Sequence, residues 1–230
     1  MNVPGYHIKT EKGLNLDKFL QTYFPGFDAL VVSKQAEQLL TPMATTPLQR
    51  EWQFSDPPPR ITFWLLSEDA FNEQTGLSLA RTFRSDEQGI NVHHDYFTIP
   101  EQYRGRGTSK AILKAWLELY VQMNVQKIFV HAALQDGGYV WARAGFKAVK
   151  QNEVDRILTR AKANLTPIQF TTIQSYYDDH YNNFPGQPFP MEYWGRMRFM
   201  KDTLRASSWH GEIDLTNQQE LTNFRNYVSA

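Results

Sequence analysis

Cysteine is absent from the 230 residues, which excludes a disulfide framework, Cys-ligated zinc and thiol catalysis, and fits a reducing compartment. Long apolar runs are absent too. Nothing approaches the ~18 residues of a membrane span, and the opening stretch MNVPGYHIKTEKG lacks the apolar core of a signal segment. Charge of one sign is not in excess: 24 basic side chains face 24 acidic ones, so no global field gathers nucleic acid or an anionic membrane. Any anion site has to be local. Repeats, low-complexity tracts and metal-spaced His/Asp/Glu clusters are also missing, since His93-His94-Asp95 alone is too local to enclose an ion. The expectation is a soluble, cytoplasmic protein without metal, membrane or nucleic-acid partner.

What the chain does hold, 41% hydrophobic residues, suffices for one sizeable core or a core with an elaboration. LDKFLQTYFPGFDALVVSKQAEQLL, residues 16–40, predicts two short helices broken at Pro25-Gly26. TPMATTPLQREWQFSDPPPR reads as a connector closed by Pro57, Pro58 and Pro59. Three extended stretches follow, ITFWLLSE from Ile61, GLSLARTFRS from Gly76 and GINVHHDYFTI from Gly89, and they predict an antiparallel meander. In SKAILKAWLELYVQMNV, Ile112, Leu113, Trp116, Leu117 and Tyr120 recur at helical spacing opposite Lys110, Lys114, Glu118 and Gln122. KIFVHAAL from Lys127 suits a buried strand, DGGYVWARAGF a short helix closed by Gly145, and KAVK another extended piece. Residues 61–150 thus read β-β-β-α-β-α-β. The fold class is α/β (α+β), with a mixed, mostly antiparallel central sheet, flanking helices, a core over 1–150 and a helical extension over 151–230.

Between the third strand and its helix lies EQYRGRGTSKAIL, residues 101–113. Gly105 and Gly107 are either an ordinary strand-to-helix turn or a place where unpaired backbone N–H groups and the helix dipole surround a phosphate. Arg104 and Arg106 add positive charge there, and Thr108 a hydroxyl. A mononucleotide P-loop lacks its lysine, and a dinucleotide fingerprint its third glycine.

In this setting Gln102-Tyr103-Arg104-Gly105-Arg106-Gly107 resembles the Q/R-x-x-G-x-G/A signature of the Gcn5-related N-acetyltransferase (GNAT) superfamily. WARAGFKAV at 141–149 resembles that family's short helix ending in Gly-Phe before a strand. The resemblance spans roughly residues 60–150. It implies a GNAT-like sheet and a cofactor, acetyl-CoA or another acyl-CoA, whose pyrophosphate lies against Arg104 to Thr108. It also implies that the pantetheine arm runs along Phe97, Thr98 and Ile99, whose backbone polarises the thioester carbonyl.

The implied activity is CoA-dependent N-acyl transfer, with acetyl as the expected group, to a small-molecule or peptide amine in a ternary complex. Such transfer needs a base for the acceptor ammonium. Period-2 alternation places Asn91, His93, Asp95 and Phe97 on one strand face and His94, Tyr96 and Thr98 on the other. By the resemblance His93 is the base and Asp95 its orienter or a water relay; alternatively both decorate a solvated sheet face. His94 and His131 read as packed core histidines. The family's usual tyrosine four residues before the Gly of Gly-Phe is Trp141 here. Tyr139 replaces its hydroxyl only if the helix is irregular, because two residues are about 200° apart. A noncatalytic CoA or phosphopantetheine sensor, or an interaction protein on the same fold, are the rival readings.

Beyond residue 150, NEVDRILTRAKANL, IQFTTIQSYYDDHYNN and MEYWGRMRFMKDTLRASS predict helices, with a break at PGQPFP. WHGEIDL from Trp209 predicts a late strand, and Thr216 a cap for the terminal helix. An insertion of about sixty residues therefore separates the last two strands. Its Tyr176, Tyr177, Tyr181, Tyr193 and Trp194 either pack the helices or form an aromatic wall. Arg198, Lys201 and Arg205 share a helix face that could touch nucleic acid, but Asp202 and Glu192 interrupt the charge and the chain is neutral overall, so they read as a solvated face.

Overall fold

In the computed structural model, which describes residues 3–72, 74–134 and 136–230, the chain divides into two compact units. Met1–Ile128 with Val228–Ala230 form one and Phe129–Tyr227 the other. The division falls inside a strand, while the sequence reading places a boundary at residue 150.

In the first unit β1 (His7–Thr10) and the helices α1 (Leu16–Tyr23) and α2 (Ala29–Leu40) precede four strands. These are β2 (Leu48–Ser55), β3 (Arg60–Ser67), β4 (Ser78–Asp86) and β5 (Gly89–Thr98). Sequence neighbours pair antiparallel from β2 to β5, and β1 joins β2 in parallel. α3 (Thr108–Gln122) follows, and then β6 (Val125–Ala132), whose first four residues belong to this unit.

The alternation sorts one sheet face as apolar: Trp52, Phe54, Ile61, Phe63, Leu65, Leu79, Phe83 and Val92 are fully buried. The helices cover this face. Trp116 of α3 lies against Phe63 and Phe83, and Trp52 donates through Nε1 to Ser33 Oγ of α2 at 3.0 Å. The opposite face carries Thr62, Thr82, Ser78 and His93, which the cross-strand pairs align.

β2 corrects the expectation of a connector at 41–60. Arg50-Glu51 interrupts its pattern, but Trp52 and Phe54 alternate into the core, and buried Glu51 is paired by Lys9 of β1 at 2.7 Å. A partner some forty positions away makes an acidic residue acceptable in the strand.

In the second unit Phe129–Ala132 of β6 leads to α4 (Gly137–Arg143) and β7 (Lys147–Ala148). α5 (Gln151–Asn164), α6 (Pro167–Asn183), β8 (Phe189–Pro190), α7 (Glu192–Gly195) and α8 (Lys201–Arg205) come next, before β9 (Trp209–Asp214) and α9 (Gln218–Ser229). β7 pairs antiparallel with both β8 and β9, so residues 149–208 are indeed an excursion between two adjacent strands. The third expected helix of the excursion is broken into α7, a 3-10 turn at Arg198–Met200, and α8.

The excursion's aromatics mostly pack. Trp194 is buried and donates to Ile173 O at 3.2 Å, Tyr181 stacks on Phe189, and the Tyr177 hydroxyl donates to Asp155 Oδ1 at 2.5 Å. Only Tyr176 and Tyr193 of the five are exposed, against each other. The terminal helix is capped by Asn217, whose Oδ1 accepts from the amides of Gln219 and Glu220, and not by Thr216. Among the described residues no helix is long and apolar enough to cross a membrane.

Candidate functional site

All but one of the anticipated residues lie along a single run of the first unit. His93, Asp95, Phe97 and Thr98 are on β5, and Ile99 follows its end. Gln102 is in a 3-10 turn, Glu101–Tyr103, Arg104 to Gly107 form the bend, and Thr108 is the first residue of α3. Tyr139 is on α4, in the second unit.

The bend requires its glycines. Gly105 and Gly107 have φ of +73° and +80°, the left-handed region in which a Cβ is disfavoured. A Cβ at either would meet no atom within 4 Å, so the space in front of the bend is open. Gly107 is the N-cap of α3 and offers no capping side chain, which leaves the first-turn amides without an intrahelical partner. Arg106 is exposed, whereas Arg104 is half-buried and donates from Nε to Ile99 O at 3.1 Å. Arg104 therefore straps the bend to the end of β5 as well as bringing charge. Gln102 lines an open depression of about 490 Å³ with Thr45, Gln74, Thr75, Pro100 and Glu101.

On β5 the strict alternation fails at one place. Arg81 of β4 faces His94, yet the next residue back, Ala80, faces Tyr96, so Asp95 is the extra residue of a β-bulge and is exposed. The faces therefore exchange beyond it. His93, Tyr96 and Thr98 align with Thr82, Ala80 and Ser78 on the polar face, while His94 and Phe97 align with Arg81 and Leu79 on the helix-covered face. The expectation that Phe97 shares a face with His93, and His94 with Tyr96 and Thr98, is corrected by that single inserted residue.

Burial and the nearby Arg84 lower the pKa of His93, with Asp95 opposing them. The ring is accordingly neutral near pH 7. His94 is fully enclosed, and its Nε2 lies 2.9 Å from the Tyr120 hydroxyl of α3. Burial first, then Arg81 and His93, push its pKa well below the ordinary histidine value. It is a packed histidine, as expected. His131 is not: it is exposed, its ring stacks on His210 at 4.2 Å, and its Nε2 lies 3.0 Å from Ser208 Oγ. The partners that draw it out of the core come from β9 and the residue before it.

At the end of β5 the Thr98 amide donates to Ser78 Oγ at 3.2 Å, and the two hydroxyls lie 2.8 Å apart. Successive strand amides point to opposite edges. With Thr98 turned toward β4, the amide of Phe97 points to the other edge.

α4 is a regular helix from Gly137 to Arg143, so the irregularity on which Tyr139 depends as a stand-in for the Trp141 position is not there. The Tyr139 hydroxyl instead accepts from Arg143 Nη1 at 3.4 Å. Gly138 keeps the helix tight, since a Cβ there would stand 2.1 Å from Leu204 O.

Sequence reasoning missed Arg81, which is wholly buried on β4. The signal was a lone basic residue inside the otherwise uncharged run LSLARTF. No protein-family model matches the chain, and a search of curated proteins returned no match.

Proposed function

We propose that the chain is a CoA-dependent N-acyltransferase that moves an acyl group, acetyl in the simplest case, from acyl-CoA to an amine by direct attack. The observation that carries this reading is the bend at residues 104–108. Two left-handed glycines open onto unfilled space at the start of a fifteen-residue helix, directly after a bulged strand. The residues present fit an anionic cofactor: an added Cβ at either glycine would project into the space that a diphosphate needs, and the α3 amides with Arg106 supply donors and charge.

In this reading the first-turn amides of α3 hold the diphosphate and the outward edge of Phe97–Ile99 holds the pantetheine arm. The Phe97 amide, turned away from β4, hydrogen-bonds the thioester carbonyl oxygen and draws charge from its carbon. Acyl-CoA supplies an activated carbonyl with a thiolate leaving group. His93, neutral because its pKa is lowered, accepts a proton from the acceptor ammonium, and the freed lone pair forms the new C–N bond as the C–S bond breaks. Asp95, one residue beyond the neighbouring His94 at the bulge, biases the imidazole electrostatically and relays through water. No residue of α4 is assigned as the acid; the leaving thiolate, of reference thiol pKa about 8.5, takes up through water the second proton that the nitrogen sheds as the amide forms.

The test is thermal denaturation with and without acetyl-CoA, followed by thiol release with a panel of amines. A ligand at 100 times its dissociation constant should add about 2.7 kcal/mol of stability. No shift and no thiol would end the reading. A shift without thiol release on any amine would leave the chain a CoA-binding sensor.

A further inference from the structure

Arg81 is 1% exposed, and among the described residues no carboxylate is in ion-pair contact with it. Its guanidinium pKa is lowered by burial, with Tyr120 and Asp95 giving only partial relief. Burying a cation this way is costly, and an apolar residue in its place on the helix-covered face would pack without that cost. The contacts of the guanidinium show what it does instead. Nη1 donates to Ala80 O at 2.7 Å and to Tyr96 O at 3.1 Å. Ala80 and Tyr96 are the cross-strand pair next to the bulge, where the register shifts. One nitrogen thus ties together the two strands at the discontinuity, on the side that leads to Phe97.

The rings of Phe97 and Trp116 lie 5.7 and 5.8 Å from the guanidinium carbon, so the cation is held by aromatic faces as well as by carbonyls. The Tyr120 hydroxyl bonds His94 at 2.9 Å and is also close enough to Arg81 to favour its charge. Two residues further along β5, Thr98 is pinned to Ser78 through its amide and its hydroxyl. Phe97 therefore lies between two attachments to β4, Arg81 to Tyr96 O and Ser78 to Thr98 N. Fixing both neighbours fixes the direction of the Phe97 peptide plane, and hence of the amide that faces the other edge.

We infer that Arg81 is a positioning residue for acyl transfer: its guanidinium locks the bulge so that the Phe97 amide is aimed at the thioester carbonyl. The inference rests on the acyltransferase reading. A bulge held only by ladder bonds could shift register or relax, and each would turn the amide away. Arg81 touches neither substrate nor reacting atoms; it acts through the strand.

The experiment compares wild type, Arg81→Met and Arg81→Lys in binding acetyl-CoA and adenosine 3′-phosphate 5′-diphosphate, which carries all the phosphates of CoA without the pantetheine arm. Amide hydrogen exchange at residues 96–99 is measured on the same ligand-free proteins. Arg81→Met should bind the diphosphate within about two-fold of wild type, bind acetyl-CoA at least about ten-fold more weakly, and exchange the Phe97 and Thr98 amides at least about ten-fold faster. Arg81→Lys, which keeps the charge but lacks the planar fork, should recover part of both. A role limited to stability would move both ligands alike and loosen amides across the whole sheet, and that result overturns the inference. So does an Arg81→Met protein that binds acetyl-CoA like wild type. If wild type binds neither ligand, the acyl-CoA reading itself fails and this role falls with it. Should Arg81→Met not fold, Arg81→Lys carries the same comparison.

Discussion

At Gly105 and Gly107, in the first unit, an added Cβ would meet nothing within 4 Å, whereas at Gly138, in the second, it would meet the Leu204 carbonyl oxygen at 2.1 Å. Gly195 and Gly211 belong with Gly138, since their added carbons would come within 3.0 Å of Ala142 and 2.5 Å of the Trp209 ring. The same residue type serves opposite ends. At Gly138, Gly195 and Gly211 the missing side chain lets helices and strands close onto one another; at Gly105 and Gly107 it permits a backbone conformation and leaves the space before it open. Two histidine sites differ as well. His93 is half-buried on a polar strand face, while His131 and His210 stack on each other and His210 is held by Glu153 at 2.8 Å. Glu153, which burial alone would raise, is brought below the usual carboxylate value by its His210 contacts and then Lys150. Space is left open at the one set of glycine positions and closed at the other.

The sharpest way to break this division is to delete one histidine from each unit. His93→Ala should lower kcat/KM for acyl transfer by about 10²–10⁴-fold, and His131→Ala should leave it within about two-fold. In wild type, the rate under subsaturating acceptor should rise with pH along a limb lying below 6.5, because the His93 pKa is lowered, and the limb should vanish in His93→Ala. Equal losses at the two positions would erase the distinction.

Next in size is the packing glycine. Gly138→Ala should cost about 3 kcal/mol, at the upper end for an overpacked site, because its neighbour is backbone and cannot swing away. Urea denaturation reads this directly; an unchanged midpoint would mean that the contact at Leu204 is easily relieved. Gly107→Asn is the counterpart. Asparagine tolerates the left-handed backbone better than other side chains, so the fold should lose no more than about 1 kcal/mol. The stabilisation of about 2.7 kcal/mol expected from saturating acetyl-CoA should disappear. A retained shift would make the bend a turn and nothing else.

The smallest effect concerns His94. Its pKa is lower in the folded protein than in the unfolded chain, so below pH 6.5 the unfolded chain binds the extra proton. The stability His94 contributes is complete above that value and is lost as the pH falls toward its folded pKa, by at most about 1.4 kcal/mol per pH unit. His94→Gln, which retains an acceptor for Tyr120, should flatten the slope between pH 7 and 5.5. Identical slopes in the two proteins would show that the ring is hydrated.

Much of the fold was legible where the pattern is local. The broken helical pair, strands β3 to β5, helix α3 and the late strand β9 follow from periodicity and punctuation within a few residues of each other. β2 was not, because Glu51 is acceptable in it only with Lys9 beside it. His131 misled for a similar reason: its neighbours in KIFVHAAL are apolar, but its partners Ser208 and His210 are far along the chain. Of the candidate site, the glycines could be read because steric limits on φ belong to a single residue. The bulge could not, since one extra residue in a strand leaves no mark on composition and reverses every face after it. Arg81 showed in the sequence as an oddity, and only the strand pairing gives it a task.

The pairing of β7 with β9 bears on how this chain could have grown. Ala148 faces Gly211, and the Val149 amide donates to His210 O at 3.0 Å, so the excursion of residues 149–208 leaves and returns at one point of the sheet. Closing a loop of about sixty residues instead of a four-residue hairpin spans roughly four doublings, about 2.4 kcal/mol of chain entropy. Burying the side chains of Trp194 and Phe189 alone, both fully enclosed, offsets that on the order of 1.5–3 kcal/mol each. Length at this junction is therefore nearly neutral for the strands on either side, and insertions or deletions between relatives of this chain should accumulate here, leaving the register of β7 and β9 untouched.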